Sequence, residues 1–336
     1  MSCKTILVTG GCGFIGTNFI KYVFYDTDFD GIIINIDKLT YAGRKENLID
    51  IETNFKERYI FKKLDICDFA ALEDLFTQYK IDCIVHFAAE SHVDKSITGP
   101  QQFIYTNIIG TFNLLEAIRK YWACSESNNR FIHISTDEVY GSLGQEGYFY
   151  ESSCYNPRSP YSASKASSDH LVMSYYYTYN LPVIITNCSN NYGPYQYPEK
   201  LIPLMILNML KEKPLPVYGD GQNVRDWLYV KDHCEAIWLV LGNGKVGEKY
   251  NIGGENEWRN IDLVNYLCEI VAEKLGKHRD YFKKYITFVK DRLGHDKRYA
   301  INCDKIKKEL NWSQRTPFDE GISNTVEWYI KKYWNR

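Results

Sequence analysis

The sequence predicts an α/β fold: a Rossmann-type, doubly wound parallel sheet joined to a smaller mixed α/β substrate domain. Three observations carry this. Short apolar runs alternate with amphipathic helical patterns through the first half, a glycine-rich turn joins the first run to the first helix, and near Asn190 the rhythm breaks into Pro- and Gly-punctuated segments. A chain of 336 residues has room for both units. We place the first over residues 1–189, with returns near 225–251, and the second mainly over 190–336, interleaved with it.

The alternation begins with a strand at 5–9 and a helix near 14–25, then a strand at 32–36. It continues with a strand at 59–63 and a helix near 68–79, a strand at 81–86 and a helix at 101–122, a strand at 131–135 and a helix at 161–179, and a strand at 183–186. Beyond Asn190, Gly193-Pro194, Lys213-Pro214-Leu215-Pro216 and Gly219-Asp220-Gly221 punctuate helices near 201–211, 231–241 and 261–275. In doubly wound sheets ligands sit beyond the carboxyl ends of the strands, so residues just after each strand are the first candidates for a site.

Thr9-Gly10-Gly11-Cys12-Gly13-Phe14-Ile15-Gly16 follows the first strand and opens the first helix. Glycines there allow a tight turn and let backbone N–H groups approach a pyrophosphate. Asp37 ends the second strand about 20 residues on, where a carboxylate binds an adenosine ribose diol and repels a 2′-phosphate. The cofactor expected is therefore NAD rather than NADP. Asp65-Ile66 after the third strand can edge the adenine, although an Asp there is as readily a cap.

Ser135-Thr136-Asp137-Glu138-Val139-Tyr140-Gly141 follows another strand, and Tyr161-Ser162-Ala163-Ser164-Lys165 comes some twenty residues later. A tyrosine whose pKa is lowered by a nearby lysine is a base for one hydroxyl. Two further carboxylates are surplus to alcohol oxidation alone. They fit an elimination, in which one group removes a proton from carbon and the other protonates a departing hydroxyl, so the chemistry expected is a dehydration through a transient ketone.

Composition excludes other classes. A formal charge of -2 gives no field for nucleic acid or an anionic membrane, and no apolar run approaches the ~20 residues of a membrane span. Met1-Ser2-Cys3-Lys4 runs directly into a strand without signal-peptide architecture, so a cytoplasmic protein is expected. The ten cysteines are scattered, which favours reduced thiols over disulfides or a zinc site; no metal is expected. Cys67, Cys83 and Cys188 read as small buried hydrophobes. The glycine- and proline-rich stretch 141–160 reads as a long loop that orders around substrate.

Further motifs carry a resemblance: Asp37-Lys38-Leu39-Thr40-Tyr41-Ala42-Gly43, Ala88-Ala89-Glu90-Ser91-His92-Val93-Asp94, Ser159-Pro160-Tyr161, Thr186-Asn187-Cys188-Ser189-Asn190-Asn191-Tyr192-Gly193-Pro194, Lys200-Leu201-Ile202-Pro203 and Arg225-Asp226-Trp227. With these the chain resembles, almost end to end, the nucleoside-diphosphate-glucose 4,6-dehydratases of the extended short-chain dehydrogenase/reductase superfamily. The resemblance implies that Tyr161 takes the C4-hydroxyl proton as hydride passes to NAD, and that Lys165 lowers the tyrosine pKa and holds the nicotinamide ribose. It gives Thr136 to O4, Glu138 to the C5 proton and Asp137 to the leaving C6 hydroxyl. It extends the dinucleotide set to Gly10, Gly13, Phe14, Ile15, Gly16, Lys38, Leu39, Thr40, Phe87, Ala88, Ala89, Ser91, Thr106 and Asn191.

The resemblance also assigns Ser91 and Asn190 to the sugar and diphosphate. Lys200, Leu201, Pro216, Val217, Tyr218, Arg225, Asn260, Asp291, Arg292 and His295 go to the nucleotide end. By chemistry, Arg225 suits bidentate phosphate contact and Tyr218 a base stack, with an ordinary surface pair Arg225/Asp226 as the plain alternative. Two departures from the family pattern are Cys12, where a small Ala is usual, and Leu293, where a Pro is. The resemblance further implies a homodimer through the helices at 101–122 and 161–179. Other readings are a 4-epimerase or decarboxylase on the same fold, neither of which is expected to carry the Asp137-Glu138 pair, and a non-catalytic NAD-binding regulator.

Overall fold

Strands covered on both faces are near-continuous apolar runs, and Ile6-Leu7-Val8, Ile33-Ile34 and Val183-Ile184-Ile185 are fully buried in the computed structural model, which describes residues 3–122 and 129–334. The main sheet holds β1 (Thr5–Thr9), β2 (Ile32–Asp37), β3 (Tyr59–Lys63), β4 (Cys83–His86), β5 (Arg130–Thr136) and β6 (Val183–Cys188). Three strands of other sheets follow in the chain: β7 (Asn190–Tyr192), β8 (Leu215–Tyr218) and β9 (Val224–Tyr229). Then β10 (Lys249–Ile252) returns to the main sheet, giving the parallel order β10-β6-β5-β4-β1-β2-β3. The order reverses at β1, where Thr9 lies opposite both Ile36 and His86, so a crevice opens at their common carboxyl end.

Alternation along β1 fills both layers. Ile6 and Val8 pack with Phe19, Ile20 and Val23 of the helix Phe14–Asp26 and with Ile237 and Val240 of the helix Val230–Asn243. Leu7 faces the other way, into Leu72 and Leu75 of the helix Phe69–Gln78, Leu114 and Ile118 of Thr111–Trp122 and Val172 of Pro160–Tyr179. Full burial of each such side chain contributes about 1.5–3 kcal/mol, which makes the sheet a rigid frame for the loops at its end. A third core, around Ile202, Met205, Leu263, Leu267 and Val326, belongs to the smaller unit. That unit also contains β11 (Glu257–Arg259), paired antiparallel with β9, and β12 (Ile286–Val289), paired parallel with β8.

Several expectations are corrected. The single helix expected at 101–122 is an α-turn at Gln101–Phe103, a π-helix at Ile104–Gly110 and an α-helix at Thr111–Trp122. Asn107 grips Glu90 at both backbone N–H (2.8 Å) and C=O (3.0 Å), tertiary bonds that hold the wider turn, and locally Thr111 Oγ1 donates back to Asn107 O at 2.7 Å. Of the return expected near 225–251, β10 joins the main sheet and the helix Val230–Asn243 packs on Phe14–Asp26, but β9 does not join, pairing with β7 and β11 instead. The helices Asp304–Leu310 and Phe318–Tyr333 were not anticipated, although Pro317 followed by Asp319 and Glu320 is a start signal for the second.

The 141–160 stretch is tied to the chain near 300: Phe149 N–H donates to Ala300 O at 2.9 Å and Asn302 N–H to Phe149 O at 2.8 Å. The cysteines described are unpaired, and Cys67 is only partly buried, its N–H held by Asp65. Met1, Ser2 and Cys124 lie outside the described residues. Among the described residues, no helix is long and apolar enough to cross a membrane.

Candidate active site

Gly10 has φ +69°, and a Cβ there would lie 2.7 Å from Ala88 Cα, so only glycine lets this turn close against β4. The helix Phe14–Asp26 starts at Gly13 with no side-chain cap and no acid in its first turn, leaving its N–H groups to face the crevice. Asp37 accepts from Cys12 N–H (3.0 Å) and Leu39 N–H (2.8 Å), which fixes the carboxylate while leaving lone pairs outward. A cleft runs from here past Lys38, Thr40, Asp65 and Ile66, then Phe87, Ala88, Ala89 and Ser91, to Tyr161, Lys165 and Asn191. Thr106 also lines it, with a buried Oγ1 that has no partner among the described residues. Asp65 both caps its turn, accepting from Cys67 N–H at 2.9 Å, and lines the cleft. The shape, the uncapped helix start and the ribose-ready carboxylate fit a dinucleotide.

At the far end of the cleft, β5 runs into a 3₁₀ turn, Asp137–Tyr140, capped by Thr136, whose Oγ1 accepts from Glu138 N–H at 3.3 Å. Thr136 Oγ1 donates to Asp137 Oδ1, also at 3.3 Å, and lines the cleft together with Tyr161. Burial, then the Glu138 charge, pushes the Asp137 carboxyl far above its usual range, so it holds a proton. Burial raises Glu138 as well, opposed by Lys200, Arg225 and Arg292. Tyr161 is pushed well above 10 by burial and then by Glu138; the chain alone does not lower it, contrary to the expectation for the tyrosine/lysine pair. Lys165 donates to Ile134 O at 2.8 Å and is brought down by burial to about 8.

A second cavity opens from the first at Glu138, Asn190 and Lys200, which line both. Its walls include Leu201, Pro216, Val217, Tyr218, Arg225, Asn260, Arg292 and His295. Lys200 reaches across to Ser91 O at 2.8 Å. Arg225 is buried, donates to Val224 O (2.7 Å) and Asp296 O (2.9 Å), and lies over the Tyr299 ring at 4.4 Å, while Asp226 turns away to Gly254 and Asn256 N–H groups. The surface-pair alternative is therefore excluded. Arg292 stands over the Tyr218 ring at 4.9 Å.

Two expected residues do not reach the cavities. Leu39, at φ +59°, turns its side chain into the hydrophobic core and offers only its N–H to Asp37. Asp291 stands behind the nucleotide end, where its Oδ1 meets His295 Nδ1 at 2.6 Å. Sequence reasoning missed Glu90, Gln196, Glu199 and Tyr299, all of which line a cavity; only Glu90, at a strand end, carried a signal. Cys188, expected as core, lines the cleft beside Tyr161. Of the two departures, Cys12 is buried with Asn35 Nδ2 at 3.5 Å, and Leu293 is exposed.

The family model for GDP-mannose 4,6 dehydratase matches residues 7–325. The chain is 52% identical to dTDP-glucose 4,6-dehydratase 1 of Escherichia coli K12 over 97% of its own length and 92% of the relative's. It is 52% identical to the dTDP-glucose 4,6-dehydratase of Haemophilus influenzae, covering 97% of each chain. Among solved structures, DesIV, a dTDP-glucose 4,6-dehydratase from Streptomyces venezuelae with NAD and TYD bound, is 44% identical with a TM-score of 0.89 over 97% of each chain. A UDP-glucose 4-epimerase from Thermotoga maritima is 28% identical with a TM-score of 0.85, covering 98% of this chain and 99% of the other.

Proposed function

The chain belongs to the GDP-mannose 4,6 dehydratase family, and from that premise we propose that it is an NAD-dependent hydro-lyase converting dTDP-glucose to its 4-keto-6-deoxy product. One observation carries the reading: Asp137, 1% exposed with its pKa pushed up by burial, and Glu138 stand together with Tyr161 on one cleft. An epimerase shares this fold, so the fold does not decide between the two; the acid and base do. Incubation with dTDP-, UDP-, GDP- and CDP-glucose tests it, with the 4-keto-6-deoxy sugar as the product to be identified. A thymine methyl is worth about 1–3 kcal/mol, so dTDP-glucose should exceed UDP-glucose in kcat/KM by roughly 10–200-fold. No keto product from any of the four would end the proposal.

NAD supplies the redox chemistry, accepting hydride from C4 and returning it at C6. Residues from Gly10 to Gly16, Asp37, Asp65, Thr106 and Asn191 would hold it, with Lys165 on the same cleft at its nicotinamide end. Tyr161 takes the C4-hydroxyl proton while Thr136 holds O4. The new carbonyl acidifies C5, from which Glu138 removes the proton as Asp137 gives its own to the C6 oxygen and water leaves; Glu138 then returns its proton to C5 as C6 regains hydride. Thr136 donates to Asp137 and lines the cleft together with Tyr161. Lys200, Arg225 and Arg292 neutralise the diphosphate, and Tyr218 stacks on the base. The main sheet, built from residues 1–189 and the β10 return, carries the cofactor, and the rest carries the sugar nucleotide.

A cofactor restored within each cycle gains nothing by leaving, so the purified protein is expected to carry NAD without supplementation. Denaturing it and assaying the supernatant checks this, and recovery of NADP would count against the Asp37 assignment. We also infer a cytoplasmic homodimer, supported by exposed Ile104, Tyr105, Ile109 and Phe112 along 104–112, with Tyr177 and Tyr179 on the helix Pro160–Tyr179. Phe112→Asp should give a monomer by sedimentation; an unchanged mass would show that this face is not the interface.

A further inference from the structure

Tyr161, Lys165 and Asp169 recur every four residues along the helix Pro160–Tyr179 and so share one buried face. The proposed chemistry uses the first two and has no task for the third. Yet Asp169 is 1% exposed, and a charge that deep must be compensated. Its Oδ2 accepts from Ser135 Oγ (2.8 Å), Tyr155 hydroxyl (2.8 Å) and Asn187 Nδ2 (3.4 Å). Its Oδ1 lies 3.2 Å from His133 Nε2, and the same Nε2 lies 3.4 Å from Lys165 Nζ.

His133 Nδ1 has no partner among the described residues, so the tautomer protonated at Nε2 avoids stranding a buried N–H and lets Nε2–H donate to Asp169. Burial, then the Lys165 charge, holds the imidazole down at about 4, so it is neutral. The other titratable groups facing this pair are His86 from β4, kept neutral by burial, the Cys188 thiol from β6 and the Tyr161 phenol. Around the carboxylate stand the Tyr140 and Tyr155 phenols, with part-buried Glu151 and Lys249. Against Lys165, burial works to strip the ammonium of its proton, and Asp169 is the leading charge opposing it. Hydrogen bonds and the neighbouring cation outweigh burial at Asp169 itself and keep it ionised.

We propose that Asp169 is a positioning residue for Lys165: a buried counter-ion, seated by His133, Ser135 and Tyr155, that keeps the ammonium charged so that Tyr161 can ionise. This rests on the dehydratase reading for the roles of Lys165 and Tyr161, but its test needs no sugar substrate.

The ionisation of Lys165 is read in the NAD-loaded protein by NMR titration of the side-chain carbon beside its amine, with Lys165→Met as the blank. Removing the Asp169 charge takes away the leading charge that opposes burial, so the Lys165 midpoint moves to lower pH, by roughly one unit or more. Asp169→Asn is the first variant, and Asp169→Ser removes the same charge with a smaller side chain should the first not fold. Tyr155→Phe breaks a hydrogen bond of the same hub while keeping the carboxylate, so it should cost stability without moving the midpoint. A folded, NAD-loaded Asp169 variant with an unchanged midpoint overturns the proposal, as does an equal shift in Tyr155→Phe. Failure of the wild-type protein to dehydrate any nucleotide sugar, with the midpoint shift intact, would instead reject the proposed function alone.

Discussion

Glu138→Gln should stall the reaction after the first hydride transfer, with reduced nicotinamide accumulating and almost no dehydrated sugar. The amide keeps the shape of the side chain, and the backbone N–H that Thr136 accepts is untouched, so the 3₁₀ turn and Asp137 stay in place. What is lost is the base, at a cost on the order of 10²–10⁴ in the rate of C5 proton removal. The Glu138 charge also raises both Asp137 and Tyr161. Removing it lowers both, and because Tyr161 then ionises more readily the pH dependence of the first step moves to lower pH. Stopped-flow absorbance of the reduced nicotinamide follows the first step and product analysis the second. Near-normal dehydration by the variant would remove Glu138 from the elimination.

Tyr161→Phe should fail earlier, with no reduced nicotinamide at all on mixing with sugar nucleotide. The ring keeps its edge contact with Phe103 at 6.3 Å, so packing is conserved and only the hydroxyl is lost. Without it no group takes the C4-hydroxyl proton, and the first oxidation slows by about 10²–10⁴. The two variants separate the halves of the chemistry because they stop on opposite sides of one spectroscopic signal. A reduced-nicotinamide signal in Tyr161→Phe close to that of the wild type would transfer the role of first base to another group.

Those two side chains were legible in the sequence because local rules place them. Thr136, Asp137 and Glu138 follow directly on a strand, Tyr161 and Lys165 share a helix face, and Gly10 to Gly16 with Asp37 occupy consecutive strand ends; each relation spans a few residues and needs only the period of the element. The alternation of strands and helices up to residue 188 was legible for the same reason. The tertiary structure decided what depends on partners distant in sequence. Asn107 held by Glu90 makes a π-helix of a stretch that reads as plain α-helix. A left-handed Leu39 swings its side chain from cleft to core, and β9 leaves the main sheet because β7 and β11 take its edges. Asp291 stops behind His295, Arg225 is buried against carbonyls from 296 and its own neighbour, and Asp169 meets Lys165 only through an imidazole on β5. Periodicity fixes which face a residue is on, whereas the direction of a side chain and the ionisation of a buried group are set by the dielectric and charges that the fold assembles around it.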